Sequence, residues 1–195
     1  MNVLIACEFS GVVRDAFRRR GHNAWSCDLL PCEGDGQFHL QCDVRHVMQG
    51  RAACAWDWDL MIAHPPCTHL AVSGARWFKD KATEQADAIR FVEMLWEAPI
   101  PRIAIENPIG VLPRLSRLGK ATQYIQPWQF GHGETKKTGL WLKNLPPLEP
   151  TNVVEGREGR VWRMPPGPDR WKERSRTYAG IAEAMAEQWG CLPNM

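Results

Sequence analysis

The sequence predicts an α/β protein built on a doubly wound, mostly parallel sheet, and three stretches carry that expectation. The first is the apolar run Asn2 to Cys7, followed by the turn Glu8-Phe9-Ser10-Gly11 and a segment of helical periodicity. The second is Leu60-Met61-Ile62-Ala63, a short apolar run stopped by Pro65-Pro66. The third is Arg102 to Ile105, followed by Glu106-Asn107-Pro108, with the amphipathic segment Lys81 to Trp96 joining it to the second. Continuous apolar runs are how strands buried on both faces read. A strand, a helix and a parallel strand of this length form one right-handed unit.

Taken in order, Gly11 loosens the backbone after the first strand, and Val12 to Arg20 follows as a helix with Val13, Ala16 and Phe17 inward. Gly21 closes it, and Asn23 to Cys27 is the second strand, ending at Asp28. An acidic residue 17 positions after Gly11 suits ribose hydroxyls, although a solvated loop aspartate reads the same way. Pro31 to Phe38 is a Gly-rich and acidic loop, and Arg45 to Gly50 a short helix that Asp43 is spaced to cap. Strand Leu60–Ala63 ends at two prolines that cannot donate to a ladder, which places Cys67 just beyond its carboxyl end. In Lys81 to Trp96, residues Ala82, Ala86, Ile89, Val92 and Trp96 recur at helical spacing. If the strands on either side of that helix are neighbours about 4.8 Å apart, Cys67 and Glu106 emerge at the same sheet end. Ile109 to Leu118 is a basic loop or short helix. The final helix is expected over Arg174 to Gly190, capped by Ser175 or Thr177, with Ile181, Ala182, Met185 and Trp189 on one face.

At 195 residues, with 44% hydrophobic and 24% charged residues, the chain reads as one globular domain and not as a disordered or fibrous chain. No apolar run approaches the roughly 20 residues that span a bilayer, and a secretory leader is not apparent, so a cytoplasmic protein without membrane contact is expected. Seven cysteines without a Cys-x-x-Cys pair argue against a disulfide framework or a zinc ribbon, and no metal is expected. A net charge of +2 does not mark a nucleic-acid binder by itself. Local composition is more telling: Glu155 to Arg176 holds seven Lys or Arg against four Asp or Glu, with Trp162 and Trp171 interleaved, a strip suited to a phosphate backbone or a stacked base.

Pro65-Pro66-Cys67 followed by Ser73, with Glu106-Asn107-Pro108 about forty residues on, resembles the cytosine carbon-5 methyltransferases, which use S-adenosylmethionine (SAM). The resemblance implies the Rossmann-like, class I SAM-dependent methyltransferase fold, and it implies Cys67 as nucleophile with Glu106 its carboxylate partner and Asn107 beside it. Phe9-Ser10-Gly11 resembles the first SAM motif, with Val13 where that motif has its second glycine. By the same resemblance the donor is held by Phe9, Ser10, Gly11, Asp28, Leu29, Asp43, Pro65, Ser175 and Thr177. Substrate contacts are implied for Pro66, Ser73, Arg76 and Lys79 around the nucleophile loop, and for Lys136 and Lys137, which stand where a basic patch precedes a strand. Arg76 and Lys79 equally suit solvated surface charges, and His64 and His69 beside Cys67 would fit a thiol protease only with an oxyanion or third-member signature that is missing.

Members of that family that read duplex DNA carry a recognition domain before the last helix. Here only residues 144–172 are available, 29 residues broken by six prolines. They form a Pro- and Arg-rich insert too short for a core. The expectation is therefore a minimal, phage- or prophage-like enzyme that methylates cytosine carbon 5 in DNA, single strands included, through a covalent Cys67 adduct. Two alternatives stay open: the same chemistry on a free cytidine nucleotide, and a catalytically silent SAM- or nucleic-acid-binding protein. A partner protein that supplies sequence recognition, the target sequence, the oligomeric state and the nature of the transferred group also stay open.

Overall fold

A computed structural model describes residues 1–48, 57–72 and 80–193. Its centre is a seven-stranded sheet in the order β3-β2-β1-β4-β5-β7-β6. The strands are β1 (Asn2–Ala6), β2 (Asn23–Asp28), β3 (His39–Gln41), β4 (Leu60–Ala63), β5 (Arg102–Pro108), β6 (Gln123–Ile125) and β7 (Thr138–Lys143). Strands β3, β2, β1, β4 and β5 are parallel, and β7 runs antiparallel between β5 and β6. The chain winds one way from β1 through β2 to β3, then returns to β4 and β5 on the other side of β1. The switch point therefore lies between β1 and β4, where open α/β sheets bind their ligands.

Alternation of side chains divides the core between the two faces. Val3 and Ile5 of β1, Leu60 and Ile62 of β4 and Ala104 of β5 pack against α1 (Val12–Arg19) and α7 (Ala179–Gly190) through Val13, Phe17, Ile181, Met185 and Trp189. Leu4, Met61, Ile103 and Ile105 face the other way, onto α2 (Val44–Met48) and α3 (Ala82–Trp96) through Val47, Val92 and Leu95. Arg20 reaches Glu187 at 3.2 Å and Arg19 pairs with Glu183, tying α1 to α7 at the surface. The buried Trp189 indole donates to the Pro146 carbonyl at 3.0 Å, which anchors the segment after β7 beneath α7.

Three sequence expectations differ from the structure. β5 does not end at Ile105 but runs to Pro108, because β7 pairs with it on its far side, Glu106 with Leu140 and Asn107 with Gly139. Residues 174–190 are not one helix. A short α6 (Arg170–Ser175) ends there, Arg176 to Tyr178 crosses as an extended strap, and α7 begins at Ala179 after an extended Tyr178 without a side-chain cap. Ser175 spends its hydroxyl on the Lys172 carbonyl at 2.8 Å and so closes α6 instead of opening α7. His39–Gln41, where no strand was expected, is an edge strand paired with β2. The segment 144–172 carries the one-turn α5 (Arg160–Arg163) and the start of α6.

Candidate functional site

The tips of β1, β4 and β5 stand in register, with Ala6 opposite Ala63 and Ala63 opposite Ile105. The next residues along the three strands are Cys7, His64 and Glu106. His64 donates its backbone N–H to the Ala6 carbonyl at 2.9 Å, extending the ladder one step past β4. Its side chain continues the face of Ile62, and that of Glu106 continues the face of Ala104. The two meet through a hydrogen bond of 2.8 Å between His64 Nδ1 and Glu106 Oε2. Burial opposes ionisation of Glu106 most strongly, but the His64 hydrogen bond and the Lys136 charge outweigh it and hold the carboxyl below its ordinary value. An ionised carboxylate can only accept, so Nδ1 carries the proton.

Asn107 alternates to the opposite side of β5. Its Nδ2 donates to the Pro65 carbonyl at 3.3 Å, so it steadies the nucleophile loop and does not face Glu106's side of the sheet. Asn107, expected as a catalytic group, has its amide on the Pro65 carbonyl. That loop is folded on itself, the Cys67 carbonyl accepting from Leu70 and Ala71 N–H at 3.0 and 2.9 Å. It is also zipped to the chain after β5. Val72 donates to Ile109 at 3.0 Å and Val111 to Leu70 at 2.9 Å, around the bridged pair Ala71 and Gly110. Only glycine allows this approach, since a Cβ at residue 110 would lie 1.9 Å from the Leu70 carbonyl oxygen.

Cys67 is half-buried. Burial raises its thiol pKa first and the Glu106 charge raises it further, while Lys136 and Arg174 pull it down. The net direction is upward, so the ligand-free protein holds a thiol and not a thiolate. Among the described residues the cations that act on it are Lys136 and Arg174, neither assigned that task by the sequence. His69 instead presents its carbonyl to Gln85 at 3.0 Å, and Ser73, Arg76 and Lys79 lie outside the described residues.

At the switch point, Cys7 adopts a left-handed backbone (φ 59°), which a non-glycine residue holds at a cost of about 1–3 kcal/mol. The turn swings the buried Glu8 carboxylate onto the first turn of α1, where it accepts from the N–H groups of Val13 at 2.7 Å and Arg14 at 3.2 Å. Burial raises the Glu8 pKa; His64 and these donors oppose it. Glu8, which sequence reasoning passed over as a turn residue, thus fills the anion site that a helix start otherwise offers a ligand. It also accounts for Val13: the amide serves Glu8 and the side chain is core, so glycine has no task there. Gly11 does, with φ 74° and a Cβ that would lie 2.6 Å from Arg14 Nη2.

The residues expected around the donor fall into three groups. Phe9, Ser10, Ser175 and Thr177 line a small cavity, about 30 Å³, together with Cys7, Glu8, His64 and Arg176. Asp28 and Leu29 stand at the tip of β2. Asp28 Oδ1 accepts from Leu30 N–H at 2.9 Å, burial raises its pKa, and Leu29 is 71% exposed. Asp43 caps α2, accepting from Arg45 N–H at 2.9 Å, and pairs with the Arg45 guanidinium, which brings its pKa down to about 2. Its carboxylate is engaged, as the capping pattern predicted. Pro65 is buried and Pro66 exposed on the nucleophile loop.

The strap before α7 covers this end of the sheet. Arg176 clasps Glu33 with two hydrogen bonds of 2.9 and 2.8 Å, and Trp171 leans on Phe9 with ring centroids 5.8 Å apart. Lys136 Nζ donates to the Arg176 carbonyl at 3.3 Å and joins Glu106, Thr138 and Thr177 around a second small space. Lys137, expected beside it, is turned away, its ammonium 4.9 Å from the Tyr124 ring on β6. A third cavity of about 210 Å³ adjoins it, lined by Lys136, Arg160, Arg176 and Tyr178 among others. Trp162 and Trp171 are 63% and 50% exposed, with Arg163 and Lys172 against their rings. Among the described residues no cluster of three or more His, Cys, Asp or Glu side chains is placed to hold a metal ion, and no helix is long and apolar enough to cross a membrane.

No family model matches the chain, and no curated protein does. A solved structure does: a candidate DNA modification methyltransferase encoded within a prophage of E. coli, matched with a TM-score of 0.52 at 14% identity. The match covers 85% of this chain and 55% of that one, so this chain spans about half the length of the structure it resembles. At that identity the likeness concerns the fold.

Proposed function

We propose that the protein is a SAM-dependent methyltransferase acting on carbon 5 of cytosine in DNA through a covalent Cys67 adduct. The observation that carries the assignment is the approach at one sheet end of the Glu106 carboxylate to the Cys67 thiol, near enough for the carboxylate charge to raise the thiol. The E. coli prophage protein of the same fold, described as a DNA modification methyltransferase, favours DNA as the substrate class.

The residues present fit SAM. The tip of β2 presents an oxygen of Asp28 and the exposed Leu29, and His64, whose buried Nε2 has no hydrogen-bond partner among the described residues, lines the switch-point cavity. SAM, when bound, supplies an electrophilic methyl carbon. The cavity holds little more than a water, so its Thr177 and Arg176 side must give way to admit a ligand. Cys67, brought to thiolate with Lys136 and Arg174 nearby, adds to carbon 6. Glu106 engages nitrogen 3, which makes carbon 5 nucleophilic, and loss of the carbon-5 proton then expels Cys67. A base taken from a duplex must first be flipped out, at a few kcal/mol. The exposed Trp162 and Trp171 with their flanking cations suit a stacked base or a single strand. Residues 144–172 stand where larger enzymes would carry a recognition domain, which leaves sequence choice to a partner protein or to weak discrimination.

One observation favours a second substrate. The cavity lined by Lys136, Arg160 and Arg176 adjoins the Glu106 pocket and suits a terminal phosphate, as in a cytidine monophosphate. Incubation with methyl-labelled SAM and either DNA or cytidine monophosphate separates the two. Label is expected in DNA cytosine at carbon 5 and absent with Cys67→Ala. Label in the mononucleotide alone selects the second substrate, and none in either, with SAM still bound, leaves a silent binding protein.

A further inference from the structure

The imidazole of His64 bonds Glu106 and also lines the switch-point cavity. Its side chain is 9% exposed, its Nδ1 is bonded to Glu106 Oε2 at 2.8 Å, and its Nε2 is buried with no hydrogen-bond partner among the described residues. The cavity that His64 lines is bounded by Cys7 to Ser10 and Ser175 to Thr177. A buried, unsatisfied polar atom loses about 1–3 kcal/mol of solvation, so a packing role alone would favour an apolar residue here. Nothing in the fold requires a histidine. The backbone N–H of residue 64 completes the ladder whatever its side chain.

We propose that His64 is a positioning residue and the proton store for Glu106. The proposal rests on the carbon-5 chemistry assigned above, which needs Glu106 to hold a proton against nitrogen 3 as Cys67 adds. Glu106 is itself 12% exposed, with one oxygen taken by His64, and the described contacts offer it no other proton-bearing ring. In the ligand-free pair the proton resides on His64 Nδ1 and Glu106 is ionised. When the ring enters, its nitrogen 3 lone pair faces the carboxylate. The Nδ1–H bond breaks, an O–H bond forms on Glu106, and His64 becomes neutral with its remaining proton on Nε2. The carboxyl then gives that proton to nitrogen 3 as the sulfur–carbon bond forms and the electron pair of the carbon 5–carbon 6 double bond moves toward the ring nitrogen. Expulsion of Cys67 returns the proton along the same path.

Charged and titratable groups face the imidazole from each neighbouring element. Glu106 comes from β5, Cys7 and Glu8 from the turn after β1, Arg176 from the strap before α7, and Lys136, acting through Glu106, from the turn before β7.

His64→Asn tests this, because an asparagine amide can still donate to Glu106 but cannot carry a proton. The readout is the rate of Cys67 adduct formation on a 5-fluorocytosine oligonucleotide across pH, by quenched mass analysis, alongside SAM binding by calorimetry. The expected result is a rate about 100-fold lower at SAM concentrations that calorimetry shows to be saturating, as for loss of a general acid, and without the wild-type decline at high pH. A His64→Asn rate within fivefold of wild type and an unchanged pH profile overturn the store. No adduct in wild type overturns the carbon-5 assignment and the store with it. If His64→Asn does not fold, ¹⁵N-histidine spectra of wild type and Glu106→Gln decide. The His64 titration midpoint is expected to fall when the carboxylate is removed, and an unmoved midpoint overturns the proposal.

Discussion

Gly110 is where the geometry of the nucleophile loop can be tested most simply. A methyl group there would lie 1.9 Å from the Leu70 carbonyl oxygen and 3.0 Å from Ala71 Cα, both backbone atoms. In Gly110→Ala one chain must retreat by about 1.5 Å to regain van der Waals separation. The bonds from Val111 to Leu70 and from Val72 to Ile109 flank the clash and are lost or stretched. Two hydrogen bonds at about 1 kcal/mol each and an overpacking term of about 1–2 kcal/mol sum to roughly 3–4 kcal/mol. For a chain of this size that lowers Tm by roughly 6–16 °C. Cys67 moves with the loop, and a misplacement of about 1 Å at a reacting group lowers rates about 100-fold. Calorimetry and adduct rates read the two effects, with Gly34→Ala, whose added Cβ would meet nothing within 4 Å, as the neutral control. A Gly110→Ala protein within about 2 °C of wild type, with an unchanged adduct rate, would refute the zipped-loop geometry.

Other perturbations test the electrostatics. Because burial and Glu106 raise the Cys67 thiol, iodoacetamide should label it more slowly at pH 7.5 than the exposed Cys191, and Lys136→Ala should slow it further; peptide mass analysis that finds Cys67 the faster contradicts this. The folded-state pKa of Glu8 lies above its unfolded value, so the native state binds the extra proton and stability falls as pH rises from about 4.5 through the folded value. Urea midpoints should therefore decline less over that window in Glu8→Gln than in wild type. Glu106 has the opposite sign: its stabilisation is complete above the unfolded value of about 4.5 and is lost as pH falls through the lower folded value. Glu106→Gln should flatten the acid side of the same curve, and an unchanged acid limb would show that His64 and Lys136 do not hold the carboxylate.

Strands β1, β2, β4 and β5 and the two long helices were legible because buried parallel strands and amphipathic helices write their own periodicity into the chain. β5 ran past its expected end because an antiparallel neighbour, β7, joined from far along the sequence, and no local pattern announces such pairing. The same holds for the strap: Arg174 to Tyr178 has the composition of a helix start, but Ser175 is consumed by α6 and Arg176 by Glu33. Cys67 and Glu106 could be named from their prolines and strand tips. Glu8 and His64 could not, because each acts through a partner distant in sequence, Glu8 on the helix start it folds back to and His64 on Glu106 across 42 positions. The one local hint was an ionisable residue at each strand tip flanking the switch point. Lys137 shows the reverse, a basic residue at the expected position whose neighbour on the strand edge, Tyr124, takes it out of the site.

The most direct measurement is the intact mass of the protein after incubation with SAM and a DNA oligonucleotide carrying 5-fluorocytosine, where fluorine blocks loss of the carbon-5 substituent and traps the sulfur on carbon 6. The predicted result is a protein–DNA species heavier than the sum of its parts by one methyl group, mapped to Cys67 and absent with Cys67→Ala. A protein that binds SAM yet stays at its unmodified mass with that oligonucleotide and with 5-fluorocytidine monophosphate would contradict it.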